Sequence, residues 1–182
     1  MSYIFALIAA LGLVVADQLT KNYIVAHFVE YQTQPVIEGV FHITYVQNPG
    51  AALGIFKNQP WIFLSITTIV LLVCISLLIK KTFRSPIMHW ALFLVLAGGV
   101  GNMIDRIFRV NDEGIRYVVD FLDFRLINFP VFNIADCCVV IGAALIVLYF
   151  AVDTVKDLKR TRQRKCASKE PKEGQPPCEP RS

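Results

Sequence analysis

Charge is what this sequence has least of. Asp, Glu, Lys and Arg together make up 18% of its 182 residues, where a soluble domain carries about a quarter. With a mean hydropathy of +0.53, that shortage excludes an ordinary soluble domain. A zinc-ligand motif and a phosphate-binding glycine loop are also missing, so neither metal hydrolase nor nucleotide chemistry has a motif to rest on. Serine offers no placed nucleophile: Ser2, Ser65, Ser76 and Ser85 lie in apolar runs or beside a basic loop, and Ser168 and Ser182 lie in a polar end. The five cysteines (Cys74, Cys137, Cys138, Cys166 and Cys178) show neither metal nor disulfide spacing. Adjacent cysteines such as Cys137 and Cys138 rarely satisfy disulfide geometry, so all five are expected to be reduced and inert. No basic stretch precedes the first apolar run, which counts against a cleaved signal peptide although Val15-Ala16 before Asp17 resembles a processing site. The net charge of +4 is too small to argue for a nucleic-acid partner.

What the sequence has in quantity is apolar run length. Trp61 to Ile79 is free of charge and, with one flanking residue, reaches the roughly 20 residues of a spanning helix. Four spans are expected, at about 3–23, 60–79, 86–104 and 134–152, in one membrane unit covering 1–155. Residues 26–58 differ in kind. Pro35, Gly39, Pro49, Gly50 and Gly54 interrupt helices there, and Gly39 to Val46 is β-branched and aromatic with partial alternation. A small strand-rich element at the membrane surface is predicted, with His42 as a polar strand-face residue. The fold class expected is a mainly α membrane protein with four transmembrane helices, this extracytoplasmic element, and an extracytoplasmic loop or helix before the last span. Residues 156–182 read as a basic, disordered cytoplasmic tail whose start can lie on anionic headgroups.

Lys80, Lys81 and Arg84 follow the second span, and the tail holds half of the 18 Lys and Arg residues. Four spans put both on one side, which the positive-inside rule makes cytoplasmic. Both termini are then cytoplasmic, and the strand-rich element and the acidic stretch face outward.

That acidic stretch runs from Gly98 to Asp136 and holds Asp105, Asp112, Glu113, Asp120, Asp123 and Asp136. Carboxylates at the mouth of a membrane bundle are costly to place and tend to be functional. Asn102 and Asp105 are three apart at the end of one span, and Asn133 and Asp136 repeat the spacing at the start of the next. A bland account of the second pair exists, since asparagine caps helices well and a first-turn carboxylate suits the dipole. Likewise Asp105-Arg106 can be a helix-end ion pair, and Asp17 and Lys21, four apart, a structural ion pair at the end of the first helix. Val118-Val119-Asp120-Phe121 is harder to set aside, because it places a carboxylate in an apolar segment. Two carboxylates at a low-dielectric boundary retain a shared proton, which suits general acid–base hydrolysis by an activated water.

Five patterns occur in order: Asp17-Gln18-x-x-Lys21, Asn48-x-Gly50-Ala51-Ala52-x-Gly54, Gly101-Asn102-x-x-Asp105-Arg106, Val118-Val119-Asp120-Phe121 and Phe132-Asn133-x-Ala135-Asp136. Together they resemble bacterial lipoprotein signal peptidase, signal peptidase II, over about residues 3–152. The resemblance implies an aspartic endopeptidase of the bacterial inner membrane that cuts prolipoproteins before a diacylglyceryl-modified cysteine. By motif position, Asp120 and Asp136 are the catalytic pair, and Asn48, Asn102, Asp105, Arg106 and Asn133 the polar shell around substrate and carboxylates. It implies no cofactor and no metal, contact with membrane lipids, inhibition by the cyclic peptide globomycin, and a chain acting as a monomer. Two features depart from the pattern: a longer segment between Arg106 and Val118, with Asn111-Asp112-Glu113-Gly114 as its turn, and the long tail. The alternative from the residues alone is a small ion-coupled transporter or channel subunit, whose acidic groups belong near mid-span. A non-catalytic scaffold, for which no single carboxylate is indispensable, is the third class.

Overall fold

In the computed structural model, residues 2–50 and 60–167 are described. Ala51 to Gly54 of the second motif and the tail beyond residue 167 lie outside them. Four helices are long and apolar enough to cross a membrane. They are α1 (Ser2–His27), α2 (Pro60–Ile79), α3 (Pro86–Phe108) and α4 (Ile134–Ala167). Between α1 and α2 stand β1 (Thr33–Ile37) and β2 (Phe41–Asn48), and between α3 and α4 stands β3 (Val118–Phe124), followed by a single 3₁₀ turn at Arg125–Ile127. The strands form one antiparallel sheet in the order β1-β2-β3. The segment before the last span, expected as loop or helix, thus also completes the sheet. Its Asn111–Gly114 turn forms as expected: Gly114 N–H donates to Asn111 O at 2.9 Å, and Gly114 sits at φ +78°, where glycine carries no Cβ penalty.

The helices start where their sequences say; α2 ends at Ile79 as expected, and the other three run past their expected ends. α3 begins on Pro86, whose missing N–H costs nothing in the first turn. It continues to Phe108, and α1 continues to His27. α4 runs to Ala167, so residues 156–167 are helical and not the disordered start of a tail. The reason is local: Lys, Arg and Gln are good helix formers, and no Gly or Pro interrupts the chain before Pro171.

One apolar cluster joins the spans, with Ala6, Ala10, Met88, Leu92, Phe93 and Val95 among its members. The second joins α1 to the sheet through Ile24, Tyr45, Tyr117, Val119 and Phe121. Helix α3 is the hub, and glycine makes it so. A Cβ on Gly98 would collide with the carbonyl oxygen of Ala135 in α4. One on Gly142 of α4 would come within 2.8 Å of Ala91 O. Small residues at these positions let the two backbones touch, as close-packed membrane helices require.

Candidate active site

The site lies where α1, α3, α4 and the sheet meet. Its deepest part is a charge node. Lys21 is fully buried and uses all three ammonium protons, on Asp17 Oδ2, Asp105 Oδ2 and Asn102 Oδ1, each at 2.9 Å. Arg109 Nε adds a second ion pair to Asp105 Oδ1 at 2.9 Å, so two cations balance two anions. Such a pair breaks even only when every hydrogen bond is made, and here they are. The expectation of a helix-end pair is therefore corrected: Asp17 and Lys21 lie inside α1, which has further turns to run before His27. The reason is that α3 packs close enough to bury them. A Cβ on Gly101 would sit 2.7 Å from Asp17 Oδ2. Asp105 likewise pairs with Lys21 and Arg109, and not with its neighbour Arg106, whose guanidinium lies 5.3 Å from the centre of the Phe63 ring.

The node grips two backbone amides. Asp17 Oδ1 accepts from Ala135 N–H at 2.9 Å, and Asp105 Oδ2 accepts from Val119 N–H at 3.2 Å. Ala135 immediately precedes Asp136, and Val119 immediately precedes Asp120. Each buried carboxylate of the node thus fixes the chain at one of the two carboxylates above it.

Three asparagines hold those two. Asn48 Oδ1 is taken by Gly50 N–H at 2.9 Å, which leaves its Nδ2 to donate to Asp120 Oδ2 at 2.8 Å. Gly50 itself sits at φ +99°, and a Cβ there would meet the Phe63 ring at 2.8 Å. Asn102 Oδ1 faces Lys21, so its Nδ2 turns to Asp136 Oδ1 at 2.7 Å. Asn133 caps α4: its Oδ1 accepts from Asp136 N–H at 2.9 Å, while Asp136 Oδ2 accepts from Asn133 N–H at 3.1 Å. This reciprocal arrangement is a capping box. The Nδ2 of the same residue then reaches Asp120 Oδ1 at 2.6 Å and Asn102 Oδ1 at 3.1 Å. The helix-cap account of Asn133 and Asp136 and the functional account describe one set of bonds.

Asn133 is fully buried and Asp120 is 2% exposed, whereas Asp136 is partly open. Burial, and next the negative charge of Asp136, push the Asp120 carboxyl up from 3.8 to about 7, against the opposing hydrogen bonds of Asn48 and Asn133. Asparagine explains why those bonds do not win. It supplies N–H donors without the positive charge that would let both carboxylates ionise.

Two residues of this neighbourhood, Gln18 and Arg109, carry no role in the reading of the sequence. Gln18 Nε2 bridges Asp105 Oδ1 at 3.2 Å and Gly101 O at 3.0 Å. Arg109 stands one helical turn from Asp105, a spacing that was there to be read. Asp123 belongs to a separate cluster, accepting from Thr44 Oγ1 at 2.6 Å and Arg125 Nε at 3.0 Å. Burial works upward on Asp123, but Thr44 and Arg125 outweigh it and hold the carboxyl below its usual range. A regular strand would point Asp123 away from Asp120. The register slips between Ile43 and Val46, however, and Phe121 and Leu122 N–H both donate to Phe132 O. Thr44 and Asn48, four apart on β2, therefore meet Asp123 and Asp120 on the same face. His42, expected as a polar strand-face residue, lies on β2 beside this cluster and is buried. Among the described residues, no group of three or more His, Cys, Asp or Glu gathers as metal ligands.

Four spans with a bridged pair of carboxylates at one end define a class, the membrane-embedded peptidases of the aspartic kind. Within it, the chain belongs to the signal peptidase II family: the family model described as Signal peptidase (SPase) II matches residues 9–152. It is 40% identical over 153 residues to the lipoprotein signal peptidase of Brevibacillus brevis, covering 84% of this chain and 98% of the relative. To that of Halothermothrix orenii it is 42% identical over 145 residues, 78% of this chain and 92% of the relative. A bacterial membrane enzyme solved by the in meso method at 2.3 Å superposes with a TM-score of 0.75 at 35% identity, over 82% of this chain and 89% of that one. Membership in this peptidase family sets aside the transporter and scaffold alternatives.

Proposed function

We propose that this enzyme removes signal peptides from prolipoproteins by cutting before a diacylglyceryl-modified cysteine, with Asp120 and Asp136 as the catalytic pair. The observation that carries the assignment is the bridge through Asn133, which binds both carboxylates at once. Like charges held this close keep one proton between them, as in other two-aspartate peptidases. Asp120, the more deeply buried member, holds that proton near neutral pH. Asp136, the more open one, takes a proton from the attacking water while Asp120 donates to the scissile carbonyl oxygen. The tetrahedral gem-diol then collapses as Asp136 gives its proton to the leaving amine and a gem-diol hydroxyl returns its proton to Asp120, with no covalent intermediate. Asn48, Asn102 and Asn133 hold the carboxylates in register, Asp105 fixes β3 through Val119 N–H, and Arg106 stands at the mouth for the substrate backbone.

The site is read as facing outward from the bacterial inner membrane, with both termini cytoplasmic. It opens where spans meet sheet, so the acyl chains of a substrate can stay in the bilayer while the peptide reaches the carboxylates. That anchoring raises effective concentration and sets orientation. Inhibition by globomycin and action as a monomer follow the family pattern. The test is cleavage by the purified protein in detergent micelles. A diacylglyceryl-modified precursor should be cut at its cysteine, and the unacylated precursor far more slowly. Equal rates would remove the lipid from the recognition, and no cleavage of either would remove the function.

A further inference from the structure

The sheet has a second face, turned away from Asp120. There Ile43 of β2 and Phe121 of β3 lie over the last turns of α1 and, with Val36, Leu19, Tyr23 and Phe28, help to enclose a groove of about 480 Å³. Apolar side chains dominate its walls, and its rim is open: Leu19 is 64% exposed and Val36 59%.

The groove continues a surface that already faces lipid. Along α1, Ile4, Ile8, Leu11, Val15, Leu19 and Tyr23 are all exposed. They are spaced by three or four residues, so they form one stripe down the helix. That stripe runs straight into the groove. The span Tyr3–His27 has 25 residues, roughly 37 Å of helix against about 30 Å of hydrocarbon. Its last turn therefore stands among the headgroups, where Tyr23 and His27 stack with ring centres 4.1 Å apart. Leu19 lies a turn lower, within reach of acyl chains. An apolar groove at that depth, continuous with a lipid-facing stripe, is filled by the bilayer itself.

We propose that this groove binds one acyl chain of a membrane phospholipid from the leaflet on the sheet's side. The occupant is a resident lipid and not the acyl group of a substrate, because Phe121 presents its side chain here while Asp120 next to it turns to Asn48 and Asn133. The chain packs against the back of the strand that carries Asp120 and supports it from below.

The test uses the full-length protein in detergent with phosphatidylglycerol carrying a diazirine in mid-acyl chain. After irradiation, mass spectrometry should map the adduct to 19–28 and 34–43, saturating at one lipid per chain. Leu19→Trp, which fills the groove, and Val36→Lys, which charges its rim, should each cut that adduct by about tenfold, the effect of losing roughly 1.4 kcal/mol of apolar contact. Val36 is surface-exposed, so its variant keeps the test sound if Leu19→Trp does not fold. Labelling that never saturates, that spreads evenly along α1 and α2, or that ignores both substitutions would overturn the proposal. No adduct in these segments, with light scattering showing a dimer in detergent, would give the groove to a second copy. Loss of the adduct on adding a diacylglyceryl-modified peptide would give it to the substrate. Either result also overturns the proposal.

Discussion

At the scale of single residues, the carboxylate pair is held by amide groups that each have one end already spoken for. Asn48, Asn102 and Asn133 turn their N–H₂ to a carboxylate because Gly50 N–H, Lys21 and Asp136 N–H occupy their oxygens. If Asp120 and Asp136 act as a unit, Asp120→Asn and Asp136→Asn should each lower kcat by about 10³-fold or more, with the double variant little worse. Asp123→Asn and Asp112→Asn should keep substantial activity when rates are compared at equal amounts in the membrane. Near-normal turnover in either single variant at Asp120 or Asp136 would defeat the pairing.

A pH profile tests the proton directly. The Asp120 carboxyl sits at about 7 instead of 3.8, so its acid form is present below about pH 7 and lost above it. kcat/KM should therefore fall as pH rises through about 7. Stability has its own sign. The unfolded chain releases this proton near 3.8 and the folded protein near 7, so the folded state loses ground as pH rises between those values. Asp120→Asn removes the ionisation. Thermal melts should show it more stable than the parent at about pH 8, with the gain gone near pH 4. A constant difference across that range would mean the carboxyl is not perturbed.

At the scale of elements, helix contact and polar geometry are one problem. Gly101 lets α3 come close enough for Asp17 to reach Ala135 N–H, and an added Cβ would press on Asp17 Oδ2 and on Ala135 Cβ at 3.1 Å. Gly101→Ala removes no polar group, yet it should lower kcat by about tenfold or more, because a misplacement near 1 Å is costly in a preorganised site. An unchanged rate in this variant would show that the α1–α4 tie does not position Asp136. The far end of α4 behaves differently. Its side chains from Ala151 to Gln163 are all exposed, so truncation after Lys165 should leave insertion and cleavage nearly intact. Loss of activity in a stably inserted truncation would assign this helix extension a task.

At the scale of the whole molecule, the charge distribution sets orientation. Cysteine placed at Asn111, in the turn before β3, should label from outside in intact cells, and cysteine at Thr82, in the α2–α3 loop, should not. Outside labelling at Thr82 would invert the topology. The sequence by itself determined the four spans, because run length and missing charge are properties of composition that no tertiary contact alters. It also determined the fourth helix's cap, a matter of residues three apart, and the motif register that marks the family. It did not determine where α1, α3 and α4 end, since helix formers let the chain run on until packing or turn chemistry stops it. Nor did it reveal β3, which pairs with β2 far back in the chain, from Asn48 with Val118 to Phe41 with Phe124. The slip that brings Asp123 to the face of Asp120 was equally hidden, because alternation is the only local rule and an irregularity is set by its partner strand. Above all, the sequence showed Asp17 and Lys21 as a structural ion pair at the end of the first helix. Only the approach of α3 at Gly101 makes them a buried node that fixes the amides before Asp120 and Asp136, because a charge's environment is decided by what packs over it.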